Sequence, residues 1–127
     1  MKTLKSILTA GLISLIFNTT PALAGDFLDA AAIKALISGN TVHSEHLKRG
    51  FEFKVYFDAD GETAIRQQHG DDTETTYKFK GDKHCIHWKG KDRCAKIRDN
   101  GDGSYDRVNK KGKVNVKWLK IAEGKDL

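Results

Sequence analysis

Tyr77-Lys78-Phe79-Lys80-Gly81-Asp82-Lys83-His84-Cys85-Ile86-His87-Trp88-Lys89-Gly90-Lys91-Asp92-Arg93-Cys94-Ala95-Lys96-Ile97 is the stretch whose reading decides the fold. With Gly81-Asp82 as a two-residue hairpin turn, Phe79 faces His84, Tyr77 faces Ile86 and Thr75 faces Trp88. With Lys89-Gly90 as the next such turn, Cys94 faces Cys85. The two turns agree. One face gathers Tyr77, Phe79, Ile86, Trp88, Ala95 and Ile97, and the other carries Lys78, Cys85, His87, Asp92, Cys94 and Lys96. The first is expected to face a core and the second solvent, and a slip of one residue in either hairpin would mix the two sets. If Trp88 is buried with Ile86, its replacement by alanine is expected to cost roughly 3 to 5 kcal/mol.

Strand signals continue on both sides. Phe51, Phe53, Val55 and Phe57 alternate with Glu52, Lys54 and Tyr56, the period of two of a half-buried strand. Asp58-Ala59-Asp60-Gly61 offers a turn into a strand at Thr63 to Gln68. Further strands are expected at Thr73 to Lys80, Lys83 to Trp88, Asp92 to Arg98, Ser104 to Asn109 and Lys113 to Ile121. Ahead of them, Ile33, Leu36 and Ile37 recur at helical spacing, with Asp26 as the expected cap and Gly39 as the stop. The pattern predicts a mainly β fold: an N-terminal helix, then an antiparallel meander of six to eight strands curled into a small barrel or sandwich.

Cys85 and Cys94 fall in the non-hydrogen-bonded class of opposed pairs, where the chains approach most closely. An intramolecular disulfide is expected, worth on the order of 2.5 kcal/mol by chain entropy. It implies an oxidising compartment. So does the start of the chain: Lys2 and Lys5 precede the apolar run Ser6 to Phe17, and Ala22-Leu23-Ala24 supplies small residues for cleavage, so residues 1–24 read as a signal peptide. The run is too short for a retained transmembrane anchor. Residues 25–127 are expected to form one small β domain, periplasmic or secreted.

Of the 127 residues 39% are hydrophobic and 31% charged, the balance of a globular chain and not of a disordered one. Charge is unevenly spread. Residues 25–77 hold five basic and ten acidic side chains, while residues 78–127 hold fifteen basic and seven acidic. In the derived register Lys78, Lys80, Lys96 and Arg98 form an outward row, a candidate site for an anionic partner such as a glycolipid, a glycan or an acidic exported protein. Nucleic acid is disfavoured by export. Tyr56, Phe57, Trp88 and Trp118 are the candidate lining of a ligand pocket.

Catalytic and metal chemistry find little support. Ser38, Ser44 and Ser104 lie in no nucleophile-elbow pattern, and there is no phosphate-binding glycine loop or haem-attachment motif. His43 with His46, and His84 with His87, are three apart, a step that points strand residues to opposite faces. Asp58 to Gly61 and Asn100 to Gly103 fail the calcium-loop spacing. No enzyme activity, cofactor or metal is therefore expected. The reading is a binding or accessory module, with a protein-docking inhibitor or structural partner of another exported protein as the alternative.

The succession Leu36-Ile37-Ser38-Gly39-Asn40-Thr41-Val42, Asp60-Gly61, Gly81-Asp82, Cys85-x-x-Trp88, Cys94 and Gly124-Lys125-Asp126-Leu127 resembles a group of small exported proteobacterial proteins. The resemblance implies an exported domain with one disulfide and implies no activity.

Overall fold

The computed structural model describes residues 25–127, so the expected signal peptide lies outside the described residues. A short helix, α1 (Ala30–Ile37), precedes eight strands: β1 (Asn40–His46), β2 (Phe51–Phe57), β3 (Thr63–Gln68), β4 (Asp71–Lys80), β5 (Lys83–Trp88), β6 (Lys91–Asp99), β7 (Tyr105–Val108) and β8 (Val114–Ala122). Each strand pairs antiparallel with the next, and β8 returns to β1, closing a barrel. Closure leaves no full-length strand edge open to another chain.

The register of the central hairpins is the one their turns dictate. Tyr77 faces Ile86, Lys78 faces Cys85 and Phe79 faces His84 across the first, and Cys85 faces Cys94 across the second. Lys89 and Gly90 both take positive φ, the signature of the tight turn whose twist matches that of the flanking strands. Cys85 and Cys94 form the disulfide, with Cα atoms 3.9 Å apart. Non-reducing peptide mapping is expected to recover their peptides joined. A Cys85→Ser/Cys94→Ser variant should lose on the order of 2.5 kcal/mol in denaturant unfolding. Two alkylatable thiols in protein from an oxidising compartment would contradict this.

One expectation about the outward face needs correction. Cys85 is fully buried, although its row points away from the barrel interior. Lys78 on β4 and Asp92 on β6 flank β5 and form an ion pair of 2.9 Å across it, and His87 Nδ1 meets the same carboxylate at 3.0 Å. This bridge, together with the opposed Cys94, shields the sulfur from solvent.

The helix closes one end of the barrel. Its N-cap is Asp29, not Asp26: the Asp29 carboxylate accepts from Ala32 N at 2.8 Å. Asp26 lies three residues earlier, in a short extended segment that pairs with the end of β6, where Asp99 N donates to Asp26 O. Asp82, in the β4–β5 turn, accepts from Ala30 N at 3.0 Å and ties the helix start to the barrel rim. Ile33 and Ile37, the two residues of the helical stripe with no exposure, plug into the core. Gly39 then turns the chain into β1 at φ +74, a conformation that favours glycine, and its N–H donates to Phe57 O.

β1 is the strand absent from the sequence-derived set. Two of its buried residues, Thr41 and Ser44, are polar, and the β1–β8 register shifts between His43 and Ser44, so the burial pattern loses its period of two. Thr41 is satisfied by the C-terminal segment: its hydroxyl donates to Gly124 O and accepts from Asp126 N, each at 2.8 Å.

Candidate functional site

In a closed meander alternate turns lie at alternate ends. The β2–β3, β4–β5 and β6–β7 turns gather at the helix end. The β1–β2, β3–β4, β5–β6 and β7–β8 turns gather at the other, which no helix among the described residues covers. A cavity of about 690 Å³ opens at that mouth into the barrel and extends along the rim and outer face, where Lys80, Lys83, Asp92 and Cys94 also border it. Eight strands enclose a bore that side chains either fill or leave open for one small ligand, and this volume falls in the range of small-molecule sites.

Inward residues of β2 build the apolar wall: Phe51, Phe53, Val55 and Phe57 all border the cavity. Ile86, Val116 and Trp118 continue it. Phe57 anchors the floor, with ring centroids 4.9 Å from Tyr77, 5.0 Å from His84 and 6.4 Å from Trp118. Three of the four expected pocket residues therefore meet here: Phe57 and Trp118, both buried, and Trp88, which is only half-buried near the mouth. Tyr56 does not join them. It has the opposite strand parity to Phe57 and stands outside, where the Lys125 ammonium lies 5.7 Å from its ring centre.

The charged lining is almost wholly cationic. Among the described residues, ten lysines and arginines border the cavity against one carboxylate, Asp92, which is already held by Lys78 and His87. Two of the arginines are inside. Arg66, on β3, has its guanidinium between the rings of Phe53, at 3.8 Å, and Trp88, at 4.3 Å. Its Nε and Nη2 donate to Gln68 Oε1 at 2.9 and 2.7 Å. Arg107, on β7, donates from Nη1 to His84 Nδ1 at 2.6 Å and from Nη2 to the carbonyls of His84 and Arg93. None of these acceptors is charged.

Desolvation, with Arg93 nearby, lowers the Arg66 pKa to about 10; desolvation, with the field of Arg66, does the same at Arg107. His84 is fully buried, and desolvation, reinforced by Arg107, pushes its pKa well below 6.5. Because arginine only donates, His84 Nδ1 is the acceptor and Nε2 carries the proton. That Nε2 has no hydrogen-bond partner among the described residues.

The expected outward basic row is arranged differently. Lys78 is paired with Asp92, and Arg98 with Asp106 at 2.9 Å. Lys96 is exposed and lies 5.4 Å from the ring centre of Phe27, itself an exposed aromatic. Of the four, Lys80 alone borders the cavity. The acidic turns also spend their carboxylates locally: Asp60 accepts from Glu62 N, Thr63 N and the Thr63 hydroxyl, and Asp102 from Ser104 N and its hydroxyl.

Arg66 and Arg107 were not singled out from the sequence, though a signal was there. Arg66 shares parity with buried Ala64, and Arg107 with Tyr105, so each places a charge on the inward set of its strand. Set against known proteins, the chain matches no family model, no curated protein and no solved structure.

Proposed function

We propose that this protein is an exported, non-catalytic binding module that takes a small molecule into the open end of its barrel. The observation that carries this reading is the cavity of about 690 Å³ at the end opposite the helix, walled by Phe53, Val55, Ile86 and Trp118. The disulfide supports an oxidising compartment, and the leader-like composition of residues 1–24 supports export to the periplasm or medium. No helix among the described residues is long and apolar enough to cross a membrane. The alternative, a docking module for another exported protein, calls for a filled barrel with a free basic outer row. The open bore and the pairing of Lys78 and Arg98 favour the ligand reading.

The test is fluorescence of N-phenyl-1-naphthylamine, a neutral probe that brightens in apolar surroundings. One saturable site is expected in the wild type. Val116 is a half-buried wall residue near the mouth, and Val116→Trp should obstruct the bore and reduce binding at least about tenfold, the equivalent of 1.4 kcal/mol. Equal saturable binding by both proteins would contradict the reading.

A further inference from the structure

Burying a guanidinium without a counter-charge is costly, and buried cations are ordinarily paired with carboxylates. Here two lie in one bore, near enough that Arg66 weakens the protonation of Arg107, and every protein acceptor they reach is neutral. The acceptors do not use the groups up. Gln68 engages Nε and Nη2 of Arg66, and no acceptor among the described residues meets its Nη1. The guanidinium is also held by the rings of Phe53 and Trp88, which leaves Nη1 for a ligand.

The topology sets the second guanidinium across from the first. β3 and β7 are four strands apart in a ring of eight, so Arg66 and Arg107 project from opposite walls. A planar or tetrahedral oxyanion between them would lie between two guanidinium charges and could accept from Arg66 Nη1, a charge-assisted hydrogen bond. Lysines at the mouth, among them Lys89, Lys91, Lys110 and Lys111, add a field that draws anions in. The wall between the arginines and the mouth carries Phe51, Phe53, Val55, Ile86 and Val116, an apolar surface that calls for an organic body on the anion.

Resting on the ligand-binding reading above, we infer that the barrel binds an amphipathic organic oxyanion, its carboxylate or phosphate-ester head between Arg66 and Arg107 and its apolar body against Phe53, Val55, Ile86 and Val116. The head replaces the missing counter-charge, and the body fills the bore.

Isothermal titration with dodecanoate, dodecyl phosphate, dodecanol and inorganic phosphate tests this, on wild type, Arg66→Met and Arg66→Met/Arg107→Met. The wild type is expected to bind dodecanoate and dodecyl phosphate at least about tenfold more tightly than dodecanol, as charge-assisted hydrogen bonds imply. Arg66→Met should lose most of that preference while still binding dodecanol. Because Arg107 supports buried His84, circular dichroism checks folding, and the single variant decides the outcome if the double variant unfolds. Dodecanol bound as tightly as dodecanoate by the wild type would overturn the anion assignment and leave the cavity reading intact. Inorganic phosphate bound as tightly as dodecyl phosphate would overturn the role of the apolar body. No binding of any of the four would overturn the cavity reading itself.

Discussion

Phe57→Ala is expected to cost roughly 3 to 5 kcal/mol in chemical denaturation, the range for removing a buried aromatic ring. Phe57 is 2% exposed and touches Tyr77, His84 and Trp118 by ring contacts, so truncation opens a void under the cavity floor that no neighbour is free to fill. For a domain of this size such a loss takes a large part of the total stability. Trp88→Ala makes the contrast. Its ring is half-buried near the mouth against Arg66, so its loss should fall below about 1.5 kcal/mol and appear chiefly as weaker ligand binding. Equal costs at the two positions would mean that Trp88 is a core residue and the bore is filled.

Stability should also fall steadily as the pH drops from 6.5. His84 is neutral in the native barrel, its pKa held well below 6.5 by desolvation and by Arg107, whereas in the unfolded chain it titrates near 6.5. Below that pH the unfolded state takes up a proton that the native state refuses. The contribution of His84 is thus complete above the unfolded pKa and is lost as the pH falls toward the folded one, at about 1.4 kcal/mol per pH unit. His46, lowered by desolvation and by Arg49, acts in the same direction. Asp60, Asp92 and Asp102, held low by hydrogen bonds from Thr63, His87 and Ser104, lose their contributions only at more acid pH. Urea unfolding across this range should show the slope in wild type and a clearly shallower one in His84→Gln. A flat profile between pH 7 and 5 would contradict the burial of a neutral imidazole.

The parts of the fold that sequence made legible are those where local turn chemistry and alternation agree. Gly81-Asp82 and Lys89-Gly90 each admit one register, and that register placed Cys85 against Cys94 and Tyr77 against Ile86. β1 was hidden because Thr41 and Ser44 are polar residues in buried positions and a bulge at His43/Ser44 breaks the period. The helix cap moved from Asp26 to Asp29 because Asp26 instead belongs to a segment paired with β6, a long-range contact that no local pattern reports.

The cavity was harder to read for a different reason. Alternation marks which residues point inward but not whether they meet in the middle, and side-chain size alone does not settle whether an eight-stranded bore is filled. The charge pattern along the sequence points to the outer face as well. Lysines on an outward row read as a binding patch, yet Lys78 and Arg98 find carboxylates on neighbouring strands. Arg66 and Arg107, whose acceptors are all neutral, sit on inward positions where a charge is least expected.

The claim that a ligand enters the bore, and not the outer face, is tested most directly by NMR titration of the labelled protein with dodecanoate. Shifts are expected in the methyl signals of Val55, Ile86 and Val116 and in the indole signals of Trp88 and Trp118, all of which border the cavity, while the backbone signals of Lys78, Lys96 and Arg98 stay in place. Shifts confined to Lys78, Lys96 and Arg98, with the cavity methyls and indoles unmoved, would contradict the account.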